Sequence, residues 1–265
     1  MSIKVDIQEC ELPILLCNWT HIKPDTIVNF IAILLLGRTA HVRKLQEGSE
    51  TQDPNYTDAQ INKAISRVSF PGVASNDNKI IHRDGWLFQF ISWIVSLEGF
   101  PPDALVGAPQ SRPADKGFDG LIIKMGVSTI EYIIICEDKA TENPRSTVTE
   151  DVWPEFTDYE MGDRDNELTA DMTTLLRQQN ELDPDKLTRA SDWFKEKRYR
   201  ASVTTSKKNL PPKVHTFAGY EDVIGGHNGR RLANLFVHED MRAYFNELSD
   251  QVADKLESMR PASHV

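Results

Sequence analysis

A mixed α/β (α+β) fold, a sheet with helices on both sides, is what this sequence predicts, and three observations carry that expectation. The run Tyr132 to Cys136 is apolar on both faces, as a central strand covered from both sides must be. From Asp84 to Leu97, residues such as Trp86, Phe88, Phe90, Ile91, Trp93 and Ile94 surround most of a helical circumference, so that helix is well buried. Met241, Phe245, Leu248, Val252 and Leu256 recur at helical spacing within 238–259 and mark a long amphipathic helix near the C-terminus. A chain of 265 residues, 40% hydrophobic and 26% charged, can bury one sizeable core.

In chain order, residues 1–23 alternate weakly and read as a strand leading into a helix. Pro24 to Leu36 is that helix, with Pro24 and Asp25 suited to its first turn and Gly37 to its end. Its apolar run, Ile27 to Leu36, contains Asn29 and falls far short of the ~20 residues a membrane span needs. Residues 44–56 are a polar loop. Thr57, followed three positions later by Gln60, is a capping box for a short helix. Pro71 to Asn78 is a loop. Asp84 is read as the cap of the buried helix, which Gly99, Pro101 and Pro102 end.

Residues 104–117 read as loop. Phe118 to Met125 and Thr129 to Ala140 are strands, joined by a hairpin turn at Gly126-Val127-Ser128. Residues 141–163 are acidic and irregular. Helices are expected at about 165–179 and 184–197, and further strands at Arg200 to Thr205 and Val214 to Tyr220. Gly225-Gly226 breaks the chain before the last helix.

Composition narrows the function. The three cysteines, Cys10, Cys17 and Cys136, form no C-x-x-C pair, which argues against a cysteine zinc site and fits a reduced cytoplasm. The N-terminus carries Lys4 and Asp6 where a signal peptide needs an apolar stretch. Gly-x-Ser-x-Gly, dinucleotide and Walker signatures are absent. A net charge of −10 argues globally against a nucleic-acid partner. Locally the balance reverses: Lys195 to Lys213 contains seven basic residues and one acid. Lys195, Lys197, Arg198, Arg200, Lys207 and Lys208 are therefore candidates for tracking a phosphate backbone, with Trp193 and Tyr199 nearby for stacking. A solvated helix end and loop would carry the same charges.

The chemistry concentrates on the two central strands. Side chains alternate along a strand, so Glu137 and Lys139 share a face and Asp138 points to the other. With a turn centred near Val127, Asp119 falls opposite about residue 136, within the roughly 5–8 Å of opposed and diagonal pairs. Asp119 and Glu137 can then hold one cation, with Lys139 alongside. Hard carboxylate oxygens suit Mg²⁺, which neutralises charge on a reacting phosphate, and a lysine there can position or activate the attacking water. An exposed cross-strand ion pair at the sheet's end is the bland alternative.

These residues resemble the PD-(D/E)xK nuclease superfamily, the restriction-endonuclease-like fold. The motif stands here as Gly117-Phe118-Asp119-Gly120, a hairpin, and Ile135-Cys136-Glu137-Asp138-Lys139, with the helix Asp84 to Leu97 before it; the proline that precedes the Asp in the family is missing. Within the superfamily the chain is most similar to nuclease subunits of bacterial anti-phage systems of the Hachiman type. No linker divides the sequence, so 1–265 is read as a single domain; with the resemblance it comprises a helical N-terminal region at 1–80, a nuclease core at 81–220 and C-terminal helices at 221–265. The resemblance also implies Mg²⁺ or Mn²⁺, a DNA substrate, and a helicase-type partner in a cytoplasmic defence role. By the same resemblance Glu98, at the end of the preceding helix, and Gln178, on a later helix, are auxiliary candidates. A non-catalytic adaptor that binds a partner protein or nucleic acid is the competing function.

Overall fold

A seven-stranded mixed sheet organises the chain. The computed structural model describes residues 2–8, 12–21, 23–49, 55–101, 103–110, 117–126, 129–177, 197–211 and 213–261. The strands are β1 (Ile3–Gln8), β2 (Leu15–His21), β3 (Ala104–Val106), β4 (Gly120–Met125), β5 (Ile130–Ala140), β6 (Lys197–Ser206) and β7 (Arg231–His238). Their order across the sheet is β1-β2-β7-β6-β5-β4-β3. β2, β7, β6 and β5 run parallel to one another, and β1, β4 and β3 pair antiparallel at the two flanks. The parallel strands are covered on both faces, as their apolar middles require.

One face carries helices α1 (Pro24–Leu35), α2 (Thr39–Gln46), α3 (Asp58–Val68), α4 (Asn78–Gly99) and the long C-terminal helix. Ile31, Phe88, Ile91, Ile134, Phe236 and Phe245 belong to the core on that side. The other face carries α5 (Pro144–Thr147), α6 (Trp153–Met161) and α7 (Asp165–Leu176). Its core includes Ile133, Ile135, Phe156, Tyr159, Met172 and Tyr199. The C-terminal helix, α8 (Met241–Ser258), packs on α1, α3 and α4. It buries all five residues that its spacing singled out, and the Ser249 hydroxyl donates to the Val68 carbonyl. Among the described residues no helix is long and apolar enough to cross a membrane.

Several expectations hold: α1, the Thr57–Gln60 capping box with both hydrogen bonds made, the β4–β5 pair, a strand over 200–205 and α8. Others are corrected. The N-terminal region is not purely helical, because β1 and β2 extend the sheet. Residues 44–56 are not all loop, since α2 runs to Gln46. Asp84 does not cap α4. That helix begins at Asn78, and the Asp77 carboxylate accepts from the Lys79 backbone N–H at 2.8 Å. Asp84 is instead buried between Arg83 and Arg242, tying α4 to α8. β3 forms within the segment read as loop. Residues 214–220 hold short helical turns rather than a strand. β7 occupies the stretch placed before the last helix, so residues 221–265 are not all helical. The helix expected at 184–197 lies, up to residue 196, outside the described residues.

Candidate active site

The register of the β4–β5 hairpin decides which face Asp119 shares. Near the turn Met125 pairs with Ile130, a register that would set residue 119 opposite 136. Between Lys124 and Met125 the register shifts by one, so that Lys124 pairs with Tyr132 and Gly120 with Cys136. A one-residue slip exchanges the faces of a strand. Here it sets Asp119 across from Glu137, and the Asp119 N–H donates to the Cys136 carbonyl at 3.0 Å. Gly117, two residues earlier, has φ of 118°, a left-handed conformation that glycine adopts without strain. It turns the chain into β4.

Asp119 is held by both of its oxygens. The Asp138 backbone N–H donates to Oδ2 at 2.8 Å, and the Gln89 side-chain amide of α4 donates to Oδ1. Lys139 Nζ lies 2.9 Å from Glu137 Oε2. Glu137 is 1% exposed and its other oxygen, Oε1, has no hydrogen-bond partner. The carboxyls of Asp119 and Glu155 also lie close to it. Asp138 turns to the opposite face. There it accepts from the Ser92 hydroxyl at 2.7 Å, with Arg200 Nη2 at 3.9 Å.

Glu155 and Gln89 belong to the site and were not anticipated from the sequence. Glu155 lies on α6, which follows a π-helical segment, Val148–Val152. The Trp153 N–H reaches back to the Val148 carbonyl, and Pro154 comes next. Proline has no N–H and crowds the carbonyl four residues back, and a π-turn is a common local answer. The wider turn sets the phase in which α6 buries Trp153, Phe156 and Tyr159 and carries Glu155 to the cleft. The available signal was this helical period, hidden by reading the segment as irregular. For Gln89 the signal was a long amide set between Phe88 and Phe90 in an otherwise apolar helix.

These groups floor an open cleft of about 470 Å³ whose walls include Trp86, Gln89, Asp119, Lys139, Glu155 and Arg164. Burial, the strongest influence, raises Asp119 to about 7; the Asp138 charge adds to the rise and Lys139 opposes it. Burial and then the Asp119 charge hold Glu137 well above the usual carboxylate range. Lys139 loses some basicity to burial, but Glu137, Asp119 and Glu155 outweigh that and leave it above the ordinary lysine value. The paired acids therefore retain a proton near neutrality while the lysine stays charged, and a divalent cation is the natural replacement for that proton.

The donor set fits a hard cation: two carboxylates pressed together, one with a bare oxygen, and the Gln89 Oε1, also unpartnered. Among the described residues no group of three or more His, Cys, Asp and Glu side chains forms a ready-made metal cage. A cation would rest on Asp119 and Glu137 and complete its sphere with water, as Mg²⁺ commonly does.

Other expected site residues lie elsewhere. The Glu98 carboxylate accepts from the Ser2 backbone and hydroxyl at 2.5–2.9 Å. Nine residues beyond Gln89 on α4, it sits roughly 13 Å farther along the helix. It anchors β1 and is no auxiliary of this site. Lys197 is buried against the Tyr159 carbonyl and Asp165. Arg200 is buried on Ser92 and Ser96. Neither can track a phosphate backbone, because both charges are spent inside the fold. Arg198 is half-buried with its guanidinium 3.5 Å from the Tyr132 ring centre. Lys207 and Lys208 are exposed, and Lys207 pairs with Glu239 at 2.8 Å. Lys195 and Gln178 lie outside the described residues. Compared with known proteins, the chain matches no protein-family model, no curated protein and no solved structure.

Proposed function

We propose that this chain is a divalent-metal-dependent nuclease that hydrolyses phosphodiester bonds of DNA. One observation carries the reading. The Asp119 and Glu137 carboxyls meet at the end of a central strand with the Lys139 ammonium beside them; Asp119 and Lys139 line an open cleft, and Glu137 is buried next to them. Support comes also from the order of elements. Asp119 adjoins β4, Glu137 and Lys139 lie on β5, α4 precedes them and packs on β5, and helices follow. That is the layout implied by the resemblance to the PD-(D/E)xK superfamily.

Asp119 and Glu137 would hold Mg²⁺ or Mn²⁺, which when bound offsets charge on the phosphate and makes a bound water more acidic. The chain's own groups do the rest. Gln89 and the Asp138 N–H fix both Asp119 oxygens, so this carboxylate is oriented before substrate arrives. Such preorganisation is what makes fixed dipoles effective in catalysis. Lys139 remains protonated beside Glu137. It offers a positive charge to the phosphate as negative charge develops there.

The test is cleavage of supercoiled and linear DNA by purified protein with Mg²⁺, Mn²⁺ or EDTA. Cutting should require metal and fall by about 10²–10³-fold in Glu137→Gln and in Lys139→Ala. Undiminished cutting by either variant overturns the assignment. Calorimetric titration with Mn²⁺ in the presence of DNA separates the competing adaptor function, which would register no metal binding.

A further inference from the structure

The candidate site is rich in acids, and so is the chain as a whole, with a net charge of −10. A polyanion must therefore be drawn by cations placed on a wall continuous with the cleft. The run Lys197–Arg200 does not supply them. We propose that the groove along α3 does, and that it docks the backbone of the nucleic-acid strand leading into the site. This proposal rests on the nuclease reading and names how its substrate is held.

Past Trp86 and Gln110 the cleft continues into a groove of about 490 Å³ bounded by α3 and by Ala108 and Pro109; both residues, Trp86 and Gln110, line the two cavities. Lys63 and Arg67 stand on its α3 wall. Four positions apart, they occupy one face of the helix. Lys63 is exposed and Arg67 half-buried, and among the described residues neither has an acid partner.

Trp86 and Gln110 form the junction. The Trp86 indole N–H donates to the Gln110 carbonyl at 2.9 Å, and the Trp86 ring rests 4.9 Å from that of Phe90. The Gln110 side-chain amide donates to the Phe118 carbonyl at 3.3 Å, which leaves its buried Oε1 without a partner. That oxygen is an acceptor suited to a base amino group or a sugar hydroxyl. Beyond it the cleft is lined by Asp119, Lys139 and Arg164, the last stacked 4.4 Å from the Tyr159 ring centre and paired with Glu167 at 2.6 Å. With Lys63 and Arg67 at one end, Lys139 at the other and an unpaired acceptor between, the passage suits a chain of repeated phosphates. A single small anion would need only one end.

Fluorescence anisotropy tests this with labelled single-stranded DNA and the matching duplex in EDTA, where nothing is cut. Reversing both charges (Lys63→Glu with Arg67→Glu) should weaken binding roughly tenfold or more at low salt. It should also flatten the slope of log K against log salt by about 1.4 for the single strand or about 1.8 for the duplex. Circular dichroism and thermal melting should show an intact fold, since both side chains reach solvent; single Ala variants, which remove one of the four charge units changed in the double variant, should show a correspondingly smaller loss.

A double variant that binds as wild type does overturns the proposal. So does wild-type protein that binds neither DNA in EDTA, or binds polyglutamate as tightly. A loss confined instead to Lys207→Glu with Lys208→Glu moves the docking surface to that patch and overturns it too. The anisotropy does not depend on cutting. A wrong groove with a right active site leaves metal-dependent cleavage by the double variant at the wild-type rate and KM. A wrong active site leaves charge-sensitive binding with no cleavage by any form.

Discussion

Two neighbouring strands carry charged residues in the middle of the sheet, and they use them in opposite ways. On β6, Lys197 and Arg200 find acceptors within the fold: a carbonyl and Asp165 for the first, and Ser92, Ser96 and Asp138 for all of the second but its Nε–H. On β5, Glu137 is as deeply buried; Lys139 pairs with one oxygen at 2.9 Å, yet the other oxygen is bare and acids stand close by. Burying a charge is tolerable only with compensation. β6 is compensated within the fold. β5 is compensated only in part, because one ammonium, Lys139, faces several acids, and the proposed divalent cation would complete it. Residue type and spacing made the two strands look alike; only partners separate a structural cation from a binding site.

The sharpest way to break this contrast is to remove a β6 charge. Arg200→Leu strands Asp138 in the core without its cation, and the structure should lose about 3–5 kcal/mol of stability, the usual cost of breaking a buried pair. Urea denaturation reads it, and a loss below about 1 kcal/mol would mean that Arg200 is not structural. On β5 the effect should appear in rate instead. Glu137→Gln should lower DNA cleavage by about 10²–10³-fold, the range for removing one charge-stabilising group, with a melting temperature equal to wild type or higher. Lys197→Leu comes next, with a loss of about 1–3 kcal/mol from leaving the Tyr159 carbonyl unsatisfied and no specific loss of DNA affinity by anisotropy. A drop in DNA affinity with unchanged stability would restore Lys197 to the binding surface.

What was legible in the sequence follows the same division. Periodicity located α1, α4, α8 and the hairpin strands, because burial of one face writes directly into spacing. Asp119, Glu137 and Lys139 were legible because charges end an apolar strand. The bulge that sets Asp119 across from Glu137 was not, since the shift between Lys124 and Met125 leaves no mark in residue type. β7 was missed because it follows a Gly-rich loop and carries Asn234, whose amide donates to Ser202 inside the sheet; a polar residue with a buried partner reads as loop. Glu155 was hidden by the π-turn at Pro154, and Gln89 by having no motif around it. The basic run misled for a related reason: seven cations in a short stretch suggest a surface, but the strand threads Lys197 and Arg200 through the core, and no local pattern distinguishes the two.

The smallest effect is the most diagnostic, because it tests the missing cation without relying on catalysis. Asp119 holds its proton up to about 7 in the fold, whereas the same group in an unfolded chain releases it near 3.9. Between those values the folded state binds a proton that the unfolded state has lost, so stability falls as pH rises through that window. Glu137, shifted in the same direction, prolongs the fall. In EDTA the melting temperature should therefore be higher at pH 5 than at pH 8. Asp119→Asn should flatten the difference and, above neutrality, add about 0.5–2 kcal/mol, as relieving an active-site group commonly does. Mn²⁺ or Mg²⁺ competes with the proton for the same oxygens, so added metal should raise the wild-type melting temperature at pH 8 and do little at pH 5. Equal stabilisation at both pH values, or a response that survives Asp119→Asn and Glu137→Gln together, would place the ion elsewhere and return Glu137 to the company of Arg200, a buried charge satisfied by the fold alone.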